Sequence, residues 1–476
     1  MSRRTKIVAT LGPATDEPGV LEALIEAGVD VVRLNFSHGS PEEHQRRAQA
    51  VRAAAAAAGR DVGILADLPG PKIRIEGFAQ GPVQLEPGAA FTLDTAHPAD
   101  AGTADIVGVA YAALPRDVRA GDHLLLNDGL IRLRVREVAG TQVRCEVEQG
   151  GELAARKGLN KAGGGLSAPA LTAQDRKHII TAVGLGVDFL AVSFPKTGDD
   201  MKKARWLAEA AGGEPQLVAK IERSEAVENL ADILRESDIV MVARGDLGVE
   251  IGEPALPGVQ KRIITEAREA NRVVITATQM MESMVSQPIP TRAEVLDVAN
   301  AVMDGTDAVM LSAETAVGRH PVRAVQAMGR ICAGAETQDP PQRNVQRLDS
   351  HFARIDEAIA MAAVYTARHT QARAIVALTE SGMTAVWMSR MDTRIPVFAL
   401  TRHEITRRRM ALVRGTYPVE FTPSALDGIT ASTEAAACLR RSGRVQAGDR
   451  LIITKGDFNG PGGTNSMKVL HVPEGD

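Results

Sequence analysis

The stretch Ile239–Asp246, IVMVARGD, sets five apolar residues against an abrupt polar end at Arg244, Gly245 and Asp246. A run this short and this apolar suits a strand buried on both faces. The pattern recurs in KIVATLG from Lys6, VVRLNFSH from Val31, VGILADL from Val62, FLAVSFP from Phe189, LVAKIE from Leu217, VVITATQ from Val273 and AVMLSAE from Ala308, eight runs in all. Amphipathic segments separate them, usually at intervals of about 20–35 residues, the arrangement of parallel βα units. Eight such units make a (β/α)8 barrel, whose active site belongs at the C-terminal strand ends, where the polar residues fall here.

The gap between Leu68 and Phe189 is far too long for one helix. Alternating runs and turns, DHLLLNDGLIRLRVREV (122–138) and TQVRCEVEQGG (141–151), predict a small β-domain inserted after the third strand. Placed over the strand ends it would serve as a lid, with KGLNKAGGGLS (157–167) as a flexible return hinge. After about residue 345 the βα pattern resumes, with strands expected at ARAIVALT, IPVFALT, YPVEF, DRLIITK and MKVLHV. The expected α/β architecture is a TIM barrel from 1–69 and 169–345, an inserted β-barrel lid from 70–168 and a C-terminal open α/β sheet from 346–476. The run AAAAAAG (53–59) reads as a helix end, and TRAE (291–294) as a capping box.

Composition narrows the function. With 44% hydrophobic and 24% charged residues and a net charge of -4, the chain favours neither nucleic acid nor anionic membrane as a partner. Cys145, Cys332 and Cys438 are far apart, against a disulfide framework or a CxxC metal site. The basic start has too short an apolar stretch for a signal peptide, and no run of about 18 apolar residues offers a membrane span. A cytoplasmic location is expected.

The strand ends carry the chemistry. In RLNFS, Arg33, Asn35 and Ser37 share one side while Leu34 and Phe36 face the other, and His38 follows in a loop. In LADLPGPKIRIE (65–76), Asp67 closes a run and Lys72 and Arg74 lie two apart, as do Lys220 and Glu222 in AKIE. Read locally, the latter is as consistent with a structural ion pair as with a site. Carboxylates on successive strand ends, Glu222 and Asp246, suit a hard divalent cation such as Mg²⁺. If a helix opens at Gly245 and Asp246, its N–H groups make an anion pocket. Thr278 closes the seventh run, and its neighbouring methionines read as helix core; Ser312 and Glu314 close the eighth. Cations so crowded would repel unless a polyanion and a metal sat among them, the needs of phosphoryl transfer, and no GxxxxGK[ST] loop is present.

TLGPAT, RLNFSHGS, GPKIR, KIE, VARGDLGVEI, ITATQMMESM, PTRAE, DGTDAVMLSAET and TESGMTA, in this order and across essentially the whole chain, resemble the pyruvate kinase family. The resemblance implies phosphoryl transfer from phosphoenolpyruvate to ADP, giving pyruvate and ATP in the last step of glycolysis, by a homotetramer. It implies that Glu222 and Asp246 hold Mg²⁺ or Mn²⁺. Gly245, Asp246 and Thr278 would receive the substrate carboxylate, and Arg33 and Lys220 would contact the transferring phosphoryl group. Lys220 would also stabilise the enolate, and Thr278 would relay its proton. Asn35, His38, Arg74 and Lys157 resemble nucleotide-phosphate contacts.

Two departures are specific to this chain. Many relatives carry glutamate at the position of Lys72 and threonine at that of Leu68, and hold K⁺ through residues matching Asn35, Ser37 and Asp67. Here the Lys72 ammonium is expected to stand in for that ion near Asp67, so that K⁺ is not required. Thr379, Glu380, Ser381, Gly382, Met383 and Thr384 resemble an effector-phosphate loop, while KGDFNGPGGTNS (455–466) departs from the form associated with fructose 1,6-bisphosphate. A monophosphorylated sugar or a nucleotide monophosphate is the expected activator. Two other readings fit parts of the pattern: a Mg²⁺-dependent keto-acid lyase or aldolase barrel, and a non-catalytic phosphometabolite sensor.

Overall fold

The computed structural model describes residues 3–338, 352, 354–391, 393–425, 428–456 and 463–474. All eight apolar runs form strands: Lys6–Thr10, Val31–Asn35, Gly63–Asp67, Phe189–Val192, Gln216–Ile221, Ile239–Ala243, Val273–Ala277 and Ala308–Leu311. They close in chain order into a barrel, the eighth pairing parallel with the first from Lys6↔Ala308 to Ala9↔Leu311. The first, third, sixth and seventh are buried at every position. A strand with helices outside and packed side chains inside has no wet face, so its sequence shows a run rather than an alternation. Polar residues are thereby displaced to the strand ends.

The intervening helices follow ordinary end chemistry. Helix Pro41–Ala57 starts at Ser40, whose hydroxyl accepts the Glu43 N–H while Glu43 accepts the Ser40 N–H, and it ends beside Gly59 at φ +61°. Thr291 and Glu294 form the same reciprocal cap on Arg292–Asp304, a feature worth about 1 kcal/mol. Met280, Met281 and Met284 are buried, but in and around a 3-10 turn, Glu282–Val285, rather than the expected helix.

Two compact units can be separated: Met1–Ala66, Leu185–Phe189 and Ile264–Asp476 in one, Asp67–Gly184 and Leu190–Ile263 in the other. In the second unit, residues 90–161 supply a six-stranded, mostly antiparallel sheet, and Val83–Leu85 pairs with Gly151–Leu153. Ile131–Ala139 shows the alternation of a sheet with one buried face, placing Ile131, Leu133 and Val135 inward with Phe91, Leu124 and Val147. The return segment is less slack than its glycines suggested, because Leu159–Lys161 is a strand paired with Leu124–Leu126.

In the first unit the five expected C-terminal strands form one sheet in the order Thr416–Glu420, Val397–Thr401, Ala374–Leu378, Arg450–Gly456, Thr464–His471. The last strand is antiparallel to its neighbour. The boundary expected at 345/346 and residues 457–462 of the closing loop lie outside the described residues.

Candidate active site

Within the second unit, the ends of barrel strands three to six bring together a charged cluster. Asp67 is the last residue of strand three, and Gly70, at φ +64°, turns the chain so tightly that a Cβ there would lie 2.8 Å from Ser193 Cβ. Ser193 donates its hydroxyl to the Leu68 carbonyl (2.7 Å) and accepts from the Lys220 ammonium (2.7 Å). Lys220 also lies 2.9 Å from Glu222 Oε1 and 3.3 Å from Asp67 Oδ1. Glu222 Oε2 accepts the Phe194 N–H (2.8 Å), so the main chain after strand four fixes this carboxylate.

Lys72 reaches Asp246 Oδ1 at 3.0 Å. This differs from the expected placement beside Asp67, where the ammonium is that of Lys220. The physical reason is the Gly70 turn, which presses residues 68–70 onto strand four and sends Lys72 towards the helix Arg244–Ile251, in whose first turn Asp246 sits. Arg74 and Lys157 are brought together at the base of the insert. Arg74 bridges to Gly158 and donates to the Arg156 carbonyl (2.9 Å), and the Lys157 carbonyl accepts the Ile75 N–H (3.0 Å).

The electrostatics favour an added cation. Asp67, Glu222 and Asp246 set three carboxylates against the two ammoniums of Lys72 and Lys220, one negative charge in excess. Asp67 and Glu222 are only 1% and 2% exposed. Burial pushes the Glu222 carboxyl above its ordinary range; Lys220 opposes this, while Asp246 and Asp67 add to it. Carboxylate oxygens in such surroundings fit a hard divalent ion that completes its shell with water and substrate. Glu222 and Asp246 are therefore a donor set suited to Mg²⁺ or Mn²⁺, although the described residues include no group of three or more His, Cys, Asp or Glu with metal-binding geometry.

In the first unit, Arg33 donates to Thr10 Oγ1 (3.2 Å), whose hydroxyl donates to the Leu311 carbonyl (2.9 Å). Asn35 Oδ1 accepts the Ser37 N–H (3.1 Å), and Ser37 and His38 are exposed. Thr278 has φ +68° and donates to the Ala277 carbonyl (2.7 Å). A β-branched residue in that region is strained, and such strain persists only where surrounding contacts impose it. Glu314 is buried and accepts the Met281 N–H (3.1 Å), three residues beyond Thr278, and the Ser312 N–H (2.6 Å). Ser193 is the residue that sequence reasoning passed over, whereas Glu314 was read as closing the eighth run. Ser193 had one visible signal, a polar side chain directly after a barrel strand.

The 379–384 segment forms a tight loop. Thr379 Oγ1 accepts the Gly382 N–H (2.9 Å), and Gly382, at φ +85°, precedes the helix Met383–Arg390. Glu380 pairs with His403 and Arg402, its carbonyl accepts the Thr406 hydroxyl (2.8 Å), and Ser381 Oγ faces the Met383 N–H at 3.5 Å. Thr384 shares a buried hydroxyl contact with Thr464 (2.8 Å).

Comparison with known proteins covers nearly the whole chain. Residues 2–325 match the family description "Pyruvate kinase, barrel domain", and residues 357–470 match "Pyruvate kinase, alpha/beta domain". The chain belongs to the pyruvate kinase family. It is 54% identical over 475 residues to pyruvate kinase II of Salmonella typhimurium, and 50% identical over 479 residues to a pyruvate kinase of Haemophilus influenzae, with 99% of each chain covered in both cases. The crystal structure of a pyruvate kinase from Cryptosporidium parvum superposes with a TM-score of 0.92 at 34% identity, covering 99% of this chain and 96% of that one. At this identity over full length, the activity of the pyruvate kinases, that of a phosphotransferase, applies to this chain. Among the described residues no helix is long and apolar enough to cross a membrane.

Proposed function

We propose that this enzyme moves the phosphoryl group of phosphoenolpyruvate to the terminal phosphate of ADP, the last step of glycolysis. The bond from phosphorus to the enol oxygen breaks, a bond from phosphorus to an ADP oxygen forms, and the enolate takes a proton at carbon to become pyruvate. The observation that carries this reading is the Lys220 ammonium, held by Ser193, Asp67 and Glu222 in a buried, carboxylate-rich site. Held there, Lys220 meets charge developing on the phosphoryl and enolate oxygens without reorganising, which is preferential stabilisation of the transition state. Arg33 takes a second phosphoryl contact. The first-turn N–H groups of Gly245 and Asp246, with Thr278, receive the substrate carboxylate, and Thr278 passes a proton to the enolate.

Glu222 and Asp246 are the residues that would hold Mg²⁺ or Mn²⁺, which when bound neutralises phosphate charge. Arg74, Lys157, Asn35 and His38 contact the nucleotide phosphates. Asn35, Ser37 and Asp67 outline the position at which relatives hold K⁺, and the Lys72 ammonium makes that ion dispensable. The 379–384 loop takes the phosphate of a monophosphorylated sugar or a nucleotide monophosphate that activates the enzyme. The working form is a cytoplasmic homotetramer, its function divided among the barrel (1–69 and 169–345), the insert (70–168) and the effector domain (346–476). The test is pyruvate formation from phosphoenolpyruvate with ADP, with and without a panel of sugar and nucleotide monophosphates. Lys220→Met is expected to lower kcat by about 10³. Activity without ADP, or a Lys220→Met enzyme within tenfold of the parent, would refute the assignment.

A further inference from the structure

The segment by which the insert returns to the barrel contains Gly163, Gly164 and Gly165, all at positive φ (+78°, +79° and +94°). Three glycines in succession would ordinarily be the loosest part of a chain. Here they are held by side chains and backbone from the segments that follow barrel strands four, five and six. The Gly163 N–H donates to the Glu250 carbonyl (2.9 Å), and the Gly165 N–H donates to Glu225 Oε1 (2.6 Å). The Leu166 carbonyl accepts from both Lys196 Nζ (2.6 Å) and the Arg223 guanidinium (3.1 Å). Glu225 Oε2 is 2.6 Å from where a Cβ on Gly164 would be, so a side chain there would push the carboxylate away from the main chain. The glycines are thus shaped to receive Glu225 as well as to bend.

The receiving residues adjoin the proposed metal ligands. Arg223 follows Glu222 directly and Glu225 lies three residues after it, while Glu250 lies one turn beyond Asp246 on the same helix, accepting the Ser224 N–H at 3.0 Å. At its other end the return segment continues through Leu159–Lys161 to Lys157 and the Arg74 bridge. We propose that Glu225, supported by Arg223 and Lys196 at Leu166, is a latch that docks the glycine return of the insert and thereby positions Lys157 and Arg74 for the nucleotide. This rests on the phosphoenolpyruvate–ADP reading, and makes Glu225 a positioning residue that touches neither substrate.

The experiment compares the parent enzyme with Glu225→Ala, Glu225→Gln and Lys196→Met, measuring kcat, KM for ADP, KM for phosphoenolpyruvate, and amide exchange across residues 159–167. Glu225→Ala is expected to raise KM for ADP about tenfold, the loss of about 1.4 kcal/mol, with KM for phosphoenolpyruvate and kcat within twofold. Exchange at Gly165 should quicken by a similar factor. Glu225→Gln, which keeps an acceptor, should recover most of both effects, and Lys196→Met should reproduce them more weakly. Unchanged ADP affinity with unchanged exchange overturns the latch, as does an equal rise in both KM values. A parent enzyme without phosphoenolpyruvate-dependent activity would overturn the functional reading instead, while the exchange data would still judge the latch.

Discussion

Arg390→Met should strand a charge, and the structure sets the size of the effect. Arg390 ends the helix that begins at the 379–384 loop, and its side chain and that of Asp307 are both fully buried. The guanidinium donates to Asp307 Oδ2 at 2.8 Å and to the Arg272 carbonyl at 2.6 Å, while Asp307 also accepts the Val274 and Arg414 N–H groups (2.9 and 3.0 Å). At 2.8 Å and an effective dielectric near 20 the gross attraction is about 6 kcal/mol. Much of that offsets lost hydration, so the measurable quantity is the cost of a buried carboxylate without its partner, about 3–5 kcal/mol. Burial alone would raise the Asp307 carboxyl; Arg390, with Arg268 and the Val274 N–H, brings it below the ordinary range. In the parent this stability is present above the unfolded carboxyl pKa and lost as pH falls through the lower folded value. In Arg390→Met the folded carboxyl lies above the unfolded value, so its stability falls as pH rises. The gap between the two proteins should therefore narrow from pH 7 towards pH 4. The assay is urea unfolding in a Trp206→Phe background, which leaves Trp387 as the one tryptophan, buried in the Arg390 helix. Adding Asp307→Asn should return most of the loss. A loss under 1 kcal/mol, or a gap that ignores pH, would refute the reasoning.

Turnover should be equal in buffers with and without K⁺, and Lys72→Glu should create a K⁺ requirement; strong K⁺ activation of the parent would sink that idea. The Glu250 carboxyl is pushed up to about 7, with burial outweighing the Ser224 N–H and Arg223. Its unfolded value is near 4.3, so its contribution to stability is complete below that value and is lost as pH rises through 7. Glu250→Gln should flatten the stability–pH slope by on the order of 3 kcal/mol between pH 4 and 8, and an unchanged slope would show that the group ionises freely.

The barrel was legible because burial on both faces writes most of its strands as unbroken runs, as in Ile239–Ala243. The insert was legible for the opposite reason, since Ile131–Ala139 has one wet face and alternates. In the site, Lys220 and Glu222 could be paired because i and i+2 fix a common side, and they meet at 2.9 Å. That rule gives a side and never a partner. It could not join Lys220 to Ser193, 27 residues earlier, or Lys72 to Asp246, 174 residues later. Local spacing also concealed that Glu314 accepts the Met281 N–H, 33 residues earlier.

Lys72 shows what the missing information changes. Beside Asp67 it would have filled the place of an ion; at Asp246 it balances a proposed metal ligand, and Lys220 balances Asp67 and Glu222. A glutamate at position 72 would convert three carboxylates and two ammoniums into four and one, taking the excess from one negative charge to three. Within a few ångströms such an excess calls for another cation. The case for K⁺ independence thus rests on the charge of the whole cluster and does not need the ammonium to occupy the ion's own position.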